Sequence, residues 1–193
     1  ISAKELQDKG VLSKCHVNIV QLLDTKEYRS YQEELKYLVT DKERVKYISK
    51  MCDSIKDSGN TLILVDRISA GEQIQELIPG STFVKGDVKL KERKVAYDEI
   101  QKGTNNVVIA TYGVAAVGIN IPRIFNLVLI EPGKSFVRVI QSIGRGIRKA
   151  EDKDFVQIWD LTSTCKYAKR HLTSRKKFYK EAEYPFTIEK VDW

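Results

Sequence analysis

The feature that most constrains the fold is an alternation of short apolar runs with amphipathic stretches over residues 61–160. Several of the runs are apolar at successive positions, which is typical of strands buried on both faces of a parallel sheet. The stretches between them are long enough for helices that cross over between parallel strands. The predicted strands are 61–66, 81–85, 106–111, 126–131 and 155–160. The pattern therefore predicts an α/β fold, a parallel sheet of five to seven strands with helices on both faces.

Helix-capping patterns and amphipathic stretches set the expected helices. Ser69 with Glu72, and Thr40 with Glu43, have the spacing of a capping box, in which a hydroxyl caps the helix and a glutamate three residues later caps in return. The helix after Thr40 is expected to stop at Gly59, because glycine readily adopts the backbone that ends a helix. The other predicted helices are 70–78, 89–103, 135–144 and 162–180.

A polar connector at 24–30 is the expected internal boundary of the chain. A short helix and a strand are expected before it, and a basic helix with a tail is expected after residue 160. The predicted segments are therefore 1–30, 31–160 and 161–193.

Composition excludes several classes of protein. The chain has 193 residues, of which 42% are hydrophobic and 31% are charged, as in soluble globular domains. No apolar run approaches the length of a membrane span, and the first residues lack a signal-peptide pattern, so we expect a cytoplasmic protein that does not contact membranes. Cys15, Cys52 and Cys165 are far apart, which predicts buried thiols and no metal site.

The positive charge is concentrated near the C-terminus. The chain carries a net charge of +7, and residues 161–180 hold seven cations without a carboxylate, so the rest of the chain has 26 Lys and Arg against 26 Asp and Glu. A cationic helix face can bind the phosphates of DNA, although such a face can also simply be solvated. The residues predicted to contact DNA from this helix are Arg170, Arg175, Lys176 and Lys177.

The triplet Gly133-Lys134-Ser135 follows a strand, as the end of a phosphate-binding loop does. Such a loop also needs a glycine five residues before Gly133, but Val128 stands there, inside the strand. Pro132 has no N–H to donate to a phosphate. We therefore predict a plain strand-to-helix turn, and a chain that lacks its own nucleotide-binding loop.

Two other stretches have the chemistry to contact phosphates. Thr111 ends an apolar strand, at the edge where open α/β sheets bind ligands. Further along, Arg145 and Arg148 stand three residues apart, with Gly144 and Gly146 leaving space for a ligand. Arginine forks are suited to paired contacts with phosphate oxygens, and a solvated basic turn is the alternative.

The order of these elements resembles the second RecA-like domain of superfamily 2 helicases. Motif IV corresponds to 61–68, a strand and glycine element to 83–87, motif V to 107–122 and motif VI to 141–148. The resemblance extends over nearly all of the chain and is closest to phage recombination and repair DNA helicases that act on branched DNA and R-loops. It identifies residues 1–30 as a linker from a preceding motor domain.

The resemblance also implies roles for single residues. Arg145 and Arg148 would be arginine fingers, and Gln141, where many relatives have His, would hydrogen-bond toward the nucleotide or the acidic motif of the opposing domain. Gly118, Asn120 and Gly144 would lie near the nucleotide, although many relatives have Asp in place of Asn120. The residues that would contact the DNA backbone are Arg67, Ser69, Lys85, Gly86 and Thr111.

The function implied is that of a C-terminal motor domain of an ATP-dependent DNA helicase. ATP with Mg²⁺ would be bound mainly by the N-terminal RecA-like domain of the same protein, and the present chain alone would be inactive. The alternative is a non-enzymatic RecA-like module that binds or anneals nucleic acid.

Overall fold

Seven parallel strands form one sheet in the computed structural model, which describes residues 14–86, 105–117, 124–133, 140 and 155–193. Their order across the sheet is β3-β4-β2-β5-β6-β1-β7, and every recorded pairing is parallel. The strands are β1 (Lys14–Leu22), β2 (Thr61–Val65), β3 (Thr82–Val84), β4 (Val107–Thr111), β5 (Asn126–Ile130), β6 (Phe155–Ser163) and β7 (Phe186–Val191). The predicted parallel α/β sheet is therefore confirmed.

Helices cover both faces of the sheet, because the central strands are apolar on both sides. β2 and β5 are buried at all five of their positions. One core cluster joins the sheet to α4 and α5, and the other joins it to α1, α2 and α3. The helices are α1 (Tyr31–Thr40), α2 (Lys42–Ile55), α3 (Ile68–Leu77), α4 (Tyr112–Val117) and α5 (Lys166–Glu181).

The predicted capping boxes were wrong in detail. Asp41 caps α2 and accepts a hydrogen bond from the backbone N–H of Arg44 at 3.1 Å. The hydroxyl of Thr40 instead donates to the carbonyl of Lys36, within the preceding helix. A carboxylate is the stronger cap for exposed N–H groups, which explains the shift by one residue. Ser69 lies in the first turn of α3, whose N-cap position is held by Arg67 without a side-chain hydrogen bond.

The predicted stop at Gly59 is confirmed. A 3-10 turn, Lys56–Ser58, follows α2 and leads to Gly59 with a φ of 138°. A Cβ at this position would lie 2.8 Å from the Phe125 side chain. Both the backbone angle and the close approach therefore require glycine.

The N-terminal strand lies inside the sheet, between β6 and β7. It pairs with β6 along its whole length, from Lys14 opposite Phe155 to Leu22 opposite Ser163. On its other side it pairs with β7, a strand that the sequence pattern did not predict. Strands from all three predicted segments therefore share one sheet.

Two general properties follow from the described ranges. No helix in them has the length and apolar character that crossing a membrane requires. The same ranges hold no group of three or more His, Cys, Asp or Glu residues placed to bind a metal.

Candidate functional site

Five of the nine predicted DNA contacts lie on one half of the sheet edge. In a parallel sheet all carboxyl ends meet at one edge, where ligands of open α/β folds bind. The neighbouring strands β3, β4 and β2 end there. Lys85 and Gly86 follow β3, Thr111 ends β4, and Arg67 follows β2, with Ser69 in the first turn of the next helix. All five are at least partly exposed.

The charged members of this group are held by surface contacts. Arg67 pairs with Asp66 at 2.8 Å, and Lys85 pairs with Glu72 at 3.3 Å. Exposed pairs of this kind contribute little net energy, about 0–1 kcal/mol, so a phosphate could replace either carboxylate at small cost. The hydroxyl of Thr111 accepts the N–H of Val114 at 3.3 Å and keeps its own hydrogen for another acceptor.

The predicted nucleotide-side residues lie outside the described part of the chain. They are Gly118, Asn120, Gln141, Gly144, Arg145 and Arg148. Ile140, which precedes Gln141 in the sequence, is buried in the core cluster that contains α4 and α5.

The turn after β5 is closed. Glu131, Pro132 and Gly133 are all buried. Gly133 has a φ of 67°, and a Cβ on it would lie 3.3 Å from the hydroxyl oxygen of Tyr31. Tyr31 therefore fills the space in front of this turn, and Pro132 offers no N–H. Of the Gly-Lys-Ser triplet the structure describes Gly133, so the prediction that the triplet is a plain turn remains a prediction.

A buried network of charged groups crosses the carboxyl edge, and the sequence did not identify it. Arg44, at the start of α2, lies 3.2 Å from Asp24 and 3.4 Å from Glu131. It also donates to the carbonyl of Leu38 at 2.6 Å, and Thr162 donates to Glu131 at 3.1 Å. The network ties the ends of β1, β5 and β6 to the junction of α1 and α2. The one feature of the sequence that could have pointed to this network is Glu131, a glutamate directly after an apolar strand.

Burial disfavours the charged form of the Glu131 carboxylate in this network. Burial raises the pKa of its carboxyl from the usual 4.5 to about 7, although the charge of Arg44 and the hydrogen bond from Thr162 act in the opposite direction. The folded protein therefore binds a proton at Glu131 over a pH range in which the unfolded chain has released it.

The expected consequence is a loss of stability as the pH rises from about 4.5 to 7. In this window the native state holds more protons than the unfolded state, so the free energy of unfolding falls with rising pH, by roughly 3 kcal/mol. Urea unfolding at a series of pH values should show this slope in the wild type and lose it in Glu131→Gln. Glu27→Gln, which removes an exposed carboxylate, controls for net charge. An unchanged slope in Glu131→Gln would show that other groups cause the pH dependence.

The prediction that Arg175 contacts DNA is corrected by the structure. Its side chain is 1% exposed, and it donates to Asp160 through Nε at 2.8 Å and through Nη2 at 2.9 Å. Tyr179 also donates to Asp160, at 2.8 Å. The helix period places Arg175 on the buried face of α5 with Leu172 and Tyr179, opposite its solvent face. The other three predicted contacts of this helix, Arg170, Lys176 and Lys177, are exposed or half-exposed.

Comparisons with known proteins agree with this architecture. A family model described as the helicase conserved C-terminal domain matches residues 43–150. The ATP-dependent DNA helicase uvsW of Enterobacteria phage T4 is 26% identical over 190 residues, which cover 92% of this chain and 38% of that protein. Putative helicase 22 of a Sulfolobus islandicus filamentous virus is 28% identical over 136 residues, which cover 60% of this chain and 24% of that protein. The chain thus spans less than half the length of both relatives.

Solved structures show the same fold. The crystal structure of T4 UvsW has a TM-score of 0.80 at 24% identity, over 94% of this chain and 42% of that one. The E. coli DEAD-box protein SrmB, solved bound to the regulator of ribonuclease activity A, has a TM-score of 0.61 at 16% identity, over 92% of each chain. The family match covers more than half of the sequence, and the parallel sheet agrees with it. This chain therefore belongs to the helicase conserved C-terminal domain family, as a RecA-like C-terminal domain of superfamily 2.

Proposed function

We propose that the chain is the C-terminal motor domain of an ATP-dependent DNA helicase that translocates on DNA and unwinds or branch-migrates it in recombination, repair and replication. The observation that carries the proposal is the grouping of cations, hydroxyls and a glycine at the ends of three neighbouring strands, β3, β4 and β2, in a helicase C-terminal domain. The similarity to an ATP-dependent DNA helicase of phage T4 supports the choice of DNA.

On the DNA side, the side chains at the sheet edge hold the sugar-phosphate backbone of one strand. Arg67 and Lys85 exchange their surface carboxylates for phosphates, while Ser69 and Thr111 donate hydroxyl hydrogens. Gly86 allows the backbone to approach closely. Contacts of this type position a strand without reading its sequence, as a translocating motor requires.

On the nucleotide side, the N-terminal RecA-like domain of the same protein would hold ATP and Mg²⁺. The closed turn at Glu131–Gly133 supports this division, because Tyr31 occupies the place where a phosphate cradle would open. When bound, ATP supplies the phosphoryl group whose transfer to water drives the motor. Arg145 and Arg148 would stabilise the negative charge that develops on that group, with help from Gln141. Gly118, Asn120 and Gly144 would lie beside the nucleotide.

ATP hydrolysis would be coupled to movement along DNA because the nucleotide site is divided between two domains. ATP binding would close the cleft, and product release would open it, so that the grip on DNA shifts with each cycle. Neither domain alone contains both the phosphate cradle and the arginines.

The test is DNA-stimulated ATP hydrolysis by the intact protein and by this chain alone. We expect turnover that rises when DNA is added to the intact protein, and no turnover from the 193-residue chain, whose folded state circular dichroism would establish. Hydrolysis by the chain alone would contradict the proposal. DNA binding by the intact protein without DNA-stimulated hydrolysis would instead indicate a non-enzymatic nucleic-acid-binding module.

A further inference from the structure

A groove of about 690 Å³ lies at the carboxyl edge beyond β6 and β1, and β5 separates these strands from the proposed strand contacts on β3, β4 and β2. One wall is the loop 24–28 that follows β1, and the other is the first two turns of α5. The sequence did not indicate this groove, because its walls are about 140 residues apart in the chain.

The two walls are fixed to each other by hydrogen bonds. Thr164 accepts the N–H of Asp24 at 2.9 Å and donates to the carbonyl of the same residue at 3.0 Å. Tyr167 donates through its hydroxyl to the carbonyl of Arg29 at 2.8 Å. The buried carboxylate of Glu34 accepts the N–H groups of Tyr167 and Ala168, both at 2.9 Å, and so caps α5. The groove is therefore preformed, and its charge comes from side chains and not from a free helix end.

Four of the eleven residues that line the groove are cations, against two carboxylates. Lys26, Lys166, Lys169 and Arg170 are all exposed, and none of them forms an ion pair within the described ranges. Of the two lining carboxylates, Asp24 is buried against Arg44, which leaves Glu27 as the exposed one. Such a cluster repels itself unless an anionic partner balances it.

The cations continue along one face of α5. At 3.6 residues per turn, six of them fall within a face about 120° wide, opposite Arg175. They are Lys166, Lys169, Arg170, Lys176, Lys177 and Lys180. This basic face spans about 21 Å at 1.5 Å per residue. One strand of a DNA duplex carries about six phosphates over the same length, at 3.4 Å per charge.

We propose that the groove and the basic face of α5 bind the sugar-phosphate backbone of duplex DNA next to the strand held at β3, β4 and β2. The number of cations on this rigid helix therefore matches the number of phosphates that one strand of a duplex presents over the same length. The groove and the first turns of α5 lie at the same sheet edge as the proposed strand contacts, so a duplex held there would adjoin the single strand, as at a fork. This inference rests on the proposed function and adds a second, duplex-specific contact to it.

The test compares two triple variants of the intact protein that remove the same charge. The groove variant is Lys26→Ala with Lys166→Ala and Lys169→Ala. The control variant is Lys42→Ala with Lys46→Ala and Lys50→Ala, which clears three exposed lysines from α2. Fluorescence anisotropy with a labelled duplex of about 30 base pairs, at several salt concentrations, gives the affinity and its salt dependence. Thermal unfolding checks that both variants fold.

The groove variant should bind the duplex at least about 10-fold more weakly at 0.1 M salt, and the slope of log affinity against log salt should fall by roughly 2–3. The control should stay within about 2-fold of the wild type. Wild-type affinity in the groove variant, or equal losses in both variants, would overturn the proposal. Binding of labelled polyglutamate, an acidic peptide, is measured for the same variants. If the groove variant binds the duplex normally but no longer binds polyglutamate, the groove binds an acidic protein and the proposal is overturned.

DNA-stimulated ATP hydrolysis by the wild type, measured in parallel, separates this inference from the proposed function. If the wild type hydrolyses ATP in response to DNA and the groove variant binds the duplex normally, only the duplex contact is wrong. If the wild type shows no stimulated hydrolysis, the proposed function itself fails.

Discussion

Replacing Arg175 with alanine should lower the free energy of unfolding by about 3–5 kcal/mol, because removing one partner of a buried ion pair leaves an uncompensated charge. The remaining partner, Asp160, is fully buried in β6, and of its side-chain contacts with the described residues the hydrogen bond from Tyr179 would remain. The lost contact also joins α5 to the sheet, so the helix that carries the basic face should detach more readily. Urea unfolding followed by circular dichroism measures the change.

A matched control lies on the same helix. Arg170→Ala removes the same side chain from an exposed position and should change stability by less than about 0.5 kcal/mol. The triple variant Arg175→Met, Asp160→Leu and Tyr179→Phe removes both charges together with the hydroxyl that donates to Asp160, and should recover most of the loss. A cost below about 1 kcal/mol for Arg175→Ala would mean that the ion pair contributes little to holding α5 on β6.

The parallel sheet could be predicted because its central strands carry their own signal. Runs such as 61–65 and 126–130 are apolar at successive positions, and only a strand covered on both faces needs that pattern. The edge strand β7 has no such pattern, since four of its six residues are exposed. Its place beside β1 is set by tertiary contacts that no local pattern predicts.

The number of cations in the basic helix could be read from the sequence. The exposure of each cation, however, depends on its position around the helix axis. Arg175 lies three and four residues from Leu172 and Tyr179, so helix periodicity could have placed it on the buried face, although it was predicted to contact DNA. Its partner Asp160 could not be identified in this way, because it lies on a different element. The network of Arg44, Asp24 and Glu131 likewise joins three segments far apart in the sequence.

The second large effect is expected at the arginines of motif VI. Arg148→Ala in the intact protein should lower the rate of ATP hydrolysis roughly 10³-fold or more, because an arginine finger stabilises charge that forms only in the transition state. Nucleotide affinity should change little, since the other domain holds most of the nucleotide. Arg145→Ala should act in the same direction. Arg29→Ala, at an exposed position outside motif VI, removes the same charge and should leave turnover unchanged.

The central claim is that Arg148 completes the ATP site across the cleft between the two domains. The most direct test is single-turnover ATP hydrolysis by Arg148→Ala at saturating DNA. Binding of a fluorescent ATP analogue is measured on the same sample. The account predicts normal binding of the analogue and a rate lowered roughly 10³-fold. Hydrolysis at the wild-type rate would contradict it.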